Sequence, residues 1–273
     1  MKRFPATLLP AVQYIHSTTD PTPRGTAFIM AIQVAKIPAC YFVTARHNVI
    51  GARRDGGEVC IRMNGRAGEK PQSVVVADWT FHEDVAVDVA VAELPKGTMH
   101  AFDISALDER LSDYHLTDDA EGIGIGDALL IIGLFTSVPG YSRLMPVVRS
   151  GSIAGVPDDT FSDPMTGGKY TAFLAEMRSS GGLSGSPVFA HLPEARDHRG
   201  KIVSGSGFSL IGMIRAHFTG GRADPEVGVQ YDPDRNTLNH GIAIITPIRS
   251  VVEVLNAGTF VANREALRRE QLG

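Results

Sequence analysis

The chain has 273 residues, of which 43% are hydrophobic and 21% charged, so it is long enough to bury a sizeable core. Its formal net charge is -4, and no stripe of Lys and Arg interleaved with aromatic residues occurs, which argues against nucleic-acid binding. The longest apolar stretch, around residues 129–135, is far too short to span a bilayer, so no membrane association is expected.

Short strand-like runs follow one another along the chain, separated by Gly, Pro, Asp and Asn. In the first half they cover residues 27–34, 41–44, 59–63, 73–77 and 85–94. After an acidic stretch with little periodicity (103–126), they resume at residues 128–134, 144–149, 171–176, 187–190, 210–216 and 242–245. This pattern is typical of an all-β barrel or sandwich protein. The acidic stretch is predicted to connect two barrels.

The hydrophobic period changes after Pro247, from that of a strand to that of a helix. Apolar residues now recur at helical spacing: Ile248, Val251, Val252 and Leu255. Gly258 supplies a stop signal, which predicts one short helix. Residues 262–271 are predicted to form a second, exposed helix or a fraying tail.

One histidine directly follows a strand-like run. In the sequence VTARH (residues 43–47), His47 would be held by a rigid element and still face a cleft, as a general base requires. A structural or surface role is predicted for six other histidines: His16, His82, His100, His115, His191 and His198.

A candidate acid lies in a repeated motif, because Asp-Val-Ala-Val begins at Asp84 and again at Asp88. A catalytic histidine needs a buried carboxylate that accepts its Nδ1 proton. Asp88 is preferred because it opens an apolar run that ends before Pro95, whereas Asp84 lies in a more polar run. Asp84 stays open as the alternative.

The most informative motif is GGLSGSPV (residues 181–188). Serine is a poor nucleophile unless a base takes its proton and hydrogen-bond donors await the charge on its target. The flanking glycines allow a sharp turn that aims backbone N–H groups at one point. This pattern, followed by an apolar strand, is typical of the nucleophile turn of a serine peptidase, with Ser184 as the nucleophile.

These three motifs occur in the order His, Asp, Ser, and together they resemble the trypsin-like (chymotrypsin-fold) serine peptidases. The resemblance is nearer to the bacterial branch than to the digestive enzymes and extends over roughly residues 20–255. It implies an all-β fold of two six-stranded antiparallel β-barrels, formed by residues 1–115 and 116–273, with the active site between them and a C-terminal helix. It also implies a serine endopeptidase without a cofactor that acts on proteins or peptides.

The resemblance implies a role for each motif. Ser184 would attack the peptide carbonyl, His47 would carry the proton and Asp88 would orient His47. The backbone N–H groups of Gly182 and Ser184 would form the oxyanion hole.

The chain departs from the digestive enzymes at Leu183. Those enzymes have at this position an aspartate that pairs with a newly cut N-terminus, and this chain also has no start like Ile-Val-Gly-Gly. Activation by proteolysis is therefore not expected. Whether the oxyanion hole is formed at rest stays open, as does control by a separately encoded regulatory partner.

The resemblance places the base of the primary substrate pocket six residues before the nucleophile, at Arg178. The wall of that pocket would be Ile214, Arg215, Ala216 and His217. Nothing in this set supplies a carboxylate, so we expect cleavage not to follow Lys or Arg, and Arg178 or His217 would favour an acidic residue. The alternative is that Arg178 points outward into an ion pair and leaves a neutral pocket.

The chain has only two cysteines, Cys40 and Cys60, whereas secreted trypsin-like enzymes usually carry several disulfides. Reduced thiols are favoured, and a single bond between neighbouring strands is the alternative. The apolar part of the N-terminal run MKRFPATLLP is short and interrupted by Pro5 and Pro10, so a signal peptide is not expected. The sequence therefore predicts a cytoplasmic protein.

Three other classes of protein are weighed against this one. An α/β-hydrolase would need G-x-S-x-G, where this chain has Ser186 as the fifth residue, and the order Ser, acid, His. A calcium loop at residues 232–243 would need a glycine at Thr237 and a glutamate at Ala243, so no metal site is expected. A catalytically silent binding module on the same fold stays open.

Overall fold

The computed structural model describes these residues: 4–112, 123–134, 140, 142–157, 159–162, 167–177, 182–192, 207–220, 230–232 and 237–272. They are mostly β-structure. Four α-helices lie among them: α1 (Arg46–Ala52), α2 (Thr98–Ala101), α3 (Ile248–Leu255) and α4 (Gly258–Leu272). No helix in these ranges is long and apolar enough to cross a membrane.

The first half of the chain forms one sheet. Its strands are β1 (Val12–Ser17), β2 (Gly25–Ile32), β3 (Ala39–Thr44), β4 (Val59–Met63), β5 (Gln72–Val75), β6 (Thr80–Phe81), β7 (Ala90–Glu93) and β8 (Leu107–Asp108). The order is β5-β4-β1-β2-β3-β7-β6, all antiparallel, and β8 pairs in parallel with β2.

This first sheet is not a closed barrel by its strand pairing. Within residues 4–112, the end strands β5 and β6 do not pair with each other. They are four and two residues long. The expectation of a closed barrel is therefore not met in this half.

The second half does contain a closed barrel. Its strands are β9 (Ala128–Leu134), β10 (Pro146–Gly155), β11 (Phe161–Ser162), β12 (Lys169–Tyr170), β13 (Phe173–Glu176), β14 (Pro187–Leu192), β15 (Gly207–Gly220), β16 (Gln230–Asp232) and β17 (Thr237–Pro247). Six of them pair in the ring β13-β10-β9-β14-β15-β17, which closes because β13 also pairs with β17. β16 pairs with the outer end of β17, and β11 and β12 form a separate hairpin.

Four central strands, β2, β3, β9 and β14, are buried on both faces. Alternate side chains point to opposite faces of a strand, and here Ile29 and Phe42 face the core of the first half while Phe28 and Val43 face a cluster shared by both halves. The shared cluster also contains Ile132, Phe189 and Val251, from β9, β14 and α3. The two sheets therefore pack directly on each other.

The sequence pattern missed β1, although all six residues of β1 are buried. Polar residues within the strand hid it, and each finds partners in the interior. The Gln13 amide donates to Pro10 O at 2.7 Å, and the His16 ring bonds Ser17 O and Ser73 Oγ at 2.9 and 2.8 Å. Burial lowers the pKa of His16, which favours the neutral ring.

Gly258 does not act as a stop signal, which corrects the sequence prediction. Helix α3 ends at Leu255, and Gly258 begins α4 after a two-residue break. Helix α4 continues because Phe260, in its first turn, packs against Tyr41 of β3 with the ring centroids 5.3 Å apart. Residues 262–271 lie inside this helix.

Both cysteines have free thiols. Cys60 is buried in β4 and Cys40 is half-buried in β3, and β1 and β2 lie between these two strands. Burial raises the pKa of both thiols, which keeps them protonated and unreactive at neutral pH.

Candidate active site

His47 and Asp88 form a closely bonded pair at the edge of the first sheet. His47 is the second residue of α1, which begins where β3 ends, and Asp88 lies two residues before β7. The imidazole Nδ1 is 2.6 Å from Asp88 Oδ2, and the backbone N–H of His47 donates to Asp88 Oδ1 at 2.9 Å. The Asp88 side chain is 10% exposed and that of His47 50%.

The protonation of this pair follows from its surroundings. Burial raises the pKa of the Asp88 carboxyl, but the N–H groups of His47 and the Arg215 guanidinium lower it by more, so this pKa lies below the ordinary value. An ionised carboxylate only accepts hydrogen bonds, so Nδ1 of His47 carries the proton. In this tautomer the free electron pair of the ring is at Nε2, which has no partner among the described residues.

Asp84, the alternative acid, makes hydrogen bonds within the turn that precedes Asp88. Its carboxylate accepts the backbone N–H of Ala86 at 2.8 Å, and its own N–H donates to His82 Nδ1 at 3.1 Å. These bonds shape the turn that precedes Asp88. The predicted strand over 85–94 begins only at Ala90, because residues 84–87 form this turn.

Ser184, the third predicted residue, is not hydrogen-bonded to this pair. Its hydroxyl donates to the backbone carbonyl of Arg215 in β15 at 3.0 Å, and no hydrogen bond joins it to His47. The structure thus brings His47 and Asp88 together and leaves the third predicted residue bonded to the second barrel.

The backbone N–H groups of Gly182 and Ser184 have no acceptor among the described residues. Gly182 has φ of +91°, a conformation that glycine adopts readily. The carbonyl of Leu183 accepts the N–H of Ser186 at 2.9 Å. Because C=O and N–H point in opposite directions across a trans peptide, the N–H of Ser184 points away from Ser186. Neither N–H group is therefore committed to a partner within the described residues.

Leu183 anchors the nucleophile turn in the core of the second barrel. Its side chain is 1% exposed and packs with Val188 and Ile214. It lies directly over Gly133, where a Cβ atom would come within 2.2 Å of Leu183 Cδ2. At this position the turn is therefore held by apolar burial.

The other side of the nucleophile turn is bonded to the first sheet. The N–H of Thr26 donates to Ser184 O at 2.9 Å, and its hydroxyl donates to Gly182 O at 2.9 Å. The buried amide of Asn48 also donates to Ser184 O, at 2.9 Å. Sequence reasoning missed Thr26 and Asn48, because neither residue belongs to a motif and their partners are distant in the chain.

The residues proposed to form the substrate pocket lie in different surroundings. Arg178 lies outside the described residues. The Ile214 side chain is buried in the barrel core, and its N–H and C=O are bonded to Ser186 and Gly185. Only the main chain of Ile214 could therefore line a pocket, and its assignment to the pocket wall stays a prediction. Ala216 packs beside Tyr170, and His217 is half-buried.

Arg215 connects the second barrel to the turn that carries the acid. Its guanidinium donates to Ala86 O at 2.6 Å and lies 3.9 Å from the centre of the Tyr170 ring. Its positive charge contributes to the low pKa of Asp88. The sequence placed Arg215 in a pocket wall and did not indicate this contact.

No group of three or more His, Cys, Asp or Glu residues that could hold a metal ion occurs in the part of the chain that the structure describes. The side chains of the acidic loop at residues 232–236 lie outside that part.

No protein-family model matches this chain, and no curated protein matches it. Among solved structures, it is similar to the crystal structure of Rv3671c from M. tuberculosis H37Rv, a serine-to-alanine mutant in an inactive form. The two share 16% sequence identity with a TM-score of 0.48, over 92% of this chain and 88% of that one.

Proposed function

We propose that the chain is a serine endopeptidase that hydrolyses peptide bonds through His47, Asp88 and Ser184. The observation that carries this proposal is the buried Asp88 carboxylate, which holds Nδ1 of the half-exposed His47 ring, while Nε2 has no partner in the part of the chain that the structure describes. An imidazole held in this tautomer can act as a general base, because the lone pair that accepts the proton has a fixed orientation. The sequence halves 1–115 and 116–273 would form one peptidase unit without a cofactor.

The reaction begins with a rotation of the Ser184 side chain from Arg215 O towards His47. Nε2 of His47 then takes the hydroxyl proton as Oγ bonds the substrate carbonyl carbon. The N–H groups of Gly182 and Ser184 stabilise the oxyanion. The imidazolium gives its proton to the departing amine, which leaves an acyl-enzyme, and water activated by His47 releases the second product.

The anchoring of Leu183 supports an enzyme that is not activated by cleavage of its own chain. Regulation by a separately encoded partner remains part of the proposal. The two free thiols support a reducing compartment, so we keep the cytoplasmic location as a prediction.

The substrates are proteins or peptides, with cleavage after residues other than Lys and Arg. The predicted pocket residues support this preference because none of them, Arg178 and the wall residues 214–217, carries a carboxylate. A positively charged side chain would meet no opposite charge there.

A second candidate function is a catalytically silent module that binds other proteins. The hydrogen bond between the Ser184 hydroxyl and Arg215 O favours it, because a serine held in this way is not poised for attack.

A fluorophosphonate probe distinguishes the two candidates. We expect the wild-type chain to be labelled and to hydrolyse a peptide library, and Ser184→Ala to lose both activities. Ser209→Ala, which changes another buried serine of the second barrel, is the matched control and should be labelled like the wild type. A folded wild-type chain that is never labelled supports the silent module instead.

A further inference from the structure

The residue after His47 is a buried amide that contacts the nucleophile turn. Asn48 is 2% exposed, and its Nδ2 donates to Ser184 O at 2.9 Å and to Thr44 Oγ1 at 3.1 Å. The side chain therefore crosses from the first sheet to the second barrel, 136 residues further along the chain.

The space for this amide exists because residue 25 is a glycine. A Cβ atom on Gly25 would come within 2.4 Å of Asn48 Nδ2 and 2.5 Å of Oδ1. The next residue, Thr26, gives its backbone N–H to Ser184 O at 2.9 Å. The carbonyl of Ser184 thus receives two donors from the first half of the molecule.

The peptide between Ser184 and Gly185 is held at both ends. Its oxygen accepts from Thr26 and Asn48, and its N–H donates to Ile214 O at 2.7 Å. This fixes the position and direction of the nucleophile's main chain relative to α1, which carries His47.

We infer that Asn48 is a positioning residue, one that sets the separation between the nucleophile and the base. The inference rests on the proposed peptidase function. The backbone N–H of His47 is bonded to Asp88, so two successive residues of α1 fix the acid and the nucleophile. Rotation of the Ser184 side chain then brings its hydroxyl to His47 at the correct separation when the Asn48 bond, together with that of Thr26, holds the main chain in register.

Removing this bond should slow acylation without weakening substrate binding. Asn48→Leu keeps a similar shape and has no donor, and Thr26 still satisfies Ser184 O. Because a misplacement of about 1 Å costs about 100-fold in rate, we expect kcat and the rate of fluorophosphonate labelling to fall by about 10- to 100-fold. KM and the pH midpoint of activity should not change, because the bonds between His47 and Asp88 remain.

A matched control is available in Asn64. This buried amide also joins the two halves, donating to Leu144 O at 3.3 Å and accepting Leu144 N–H at 2.7 Å, and it contacts no residue of the site. Asn64→Leu should lower stability in a similar way and keep the wild-type labelling rate. All rates are measured below the thermal transition of each variant. If Asn48→Leu does not fold, Asn48→Ser should show the same loss, because its hydroxyl is too short to reach Ser184 O.

The outcomes separate this inference from the proposed function. If the wild type is active and Asn48→Leu is labelled at the wild-type rate, the positioning role is overturned. The proposed peptidase function is then unaffected. An equal loss in Asn64→Leu also overturns it, since the effect would then be one of stability. A wild type that is not labelled removes both proposals.

Discussion

At the scale of single residues, Asp88 does two things for His47. One carboxylate oxygen bonds the ring and the other bonds the main-chain N–H. The first bond selects the tautomer, and the second fixes the start of α1 relative to the acid. The ring can therefore neither flip nor drift without breaking a charge-assisted hydrogen bond.

Replacing Asp88 by asparagine should nearly abolish activity without unfolding the chain. The amide would offer an N–H to Nδ1 and move the ring proton to Nε2, so that His47 can no longer act as a base. By analogy with the triad of known serine peptidases, we expect kcat to fall by about 10,000-fold at neutral pH. Steady-state hydrolysis of a peptide substrate measures this. Asp84→Asn, which keeps the oxygen that bonds Ala86, should stay within a few-fold of wild type, and equal losses in both variants would contradict the assignment.

Asp88→Asn should also change how the stability of the fold depends on pH in the acid range. Because the folded pKa of Asp88 is lowered, its ionised form contributes stability above the ordinary pKa of Asp, about 4, and this contribution is lost as the pH falls through the lower folded value. The free energy of unfolding should therefore fall less steeply with decreasing pH in Asp88→Asn than in the wild type. Urea unfolding at several pH values measures this.

At the scale of elements, the nucleophile turn is held from two sides. Leu183 is buried in the second barrel, and Gly185 lies against the first sheet with φ of +86°. A Cβ atom on Gly185 would come within 2.0 Å of Thr26 O and 2.6 Å of Thr44 Oγ1. Both the backbone conformation and the close approach require glycine here.

Gly185→Ala should separate the turn from the first sheet. The left-handed conformation and the steric overlap should together cost about 2–4 kcal/mol of unfolding free energy and abolish fluorophosphonate labelling. Gly51→Ala is the matched control, because it lies in α1 with ordinary φ and no atom within 4 Å of the added carbon. It should be neutral or stabilising by up to about 1 kcal/mol. Equilibrium urea unfolding compares the two, and an unaffected Gly185→Ala variant would contradict this account of the turn.

At the scale of the whole molecule, the chain crosses between its halves more than once. The shared apolar cluster joins β2 and β3 to β9, β14 and α3. After leaving the second barrel, α4 returns to the first sheet, where Arg264 donates to Tyr41 Oη and Gln271 accepts the N–H groups of Lys36 and Ile37. The C-terminal helices thus keep the two halves of the chain in a fixed relation.

Phe260 is the buried apolar residue through which α4 packs on the first sheet. It is 4% exposed, so Phe260→Ala should cost about 3–5 kcal/mol of unfolding free energy. Leu272→Ala, at the exposed end of the same helix, should change it by less than about 0.5 kcal/mol. Chemical denaturation followed by far-UV circular dichroism measures both. Equal effects would mean that α4 does not hold the halves together through Phe260.

The sequence by itself determined the local elements, because hydrophobic period and turn residues report burial within one segment. It located the strands at 59–63 and 128–134 as the structure has them, and the change to helix after Pro247. It also named His47, Asp88 and Ser184 as a group, whose catalytic role stays a proposal.

Only the tertiary structure decided the contacts between segments. Closure of the second sheet but not the first depends on strand lengths and pairing partners that no local pattern encodes. Asn48 and Thr26 have no motif, and they meet Ser184 only because β2 and α1 pack against a turn from the other half of the chain. The hydrogen bond from the Ser184 hydroxyl to Arg215 O likewise depends on the rotamer of Ser184 in the folded chain. Residues distant in sequence set that rotamer.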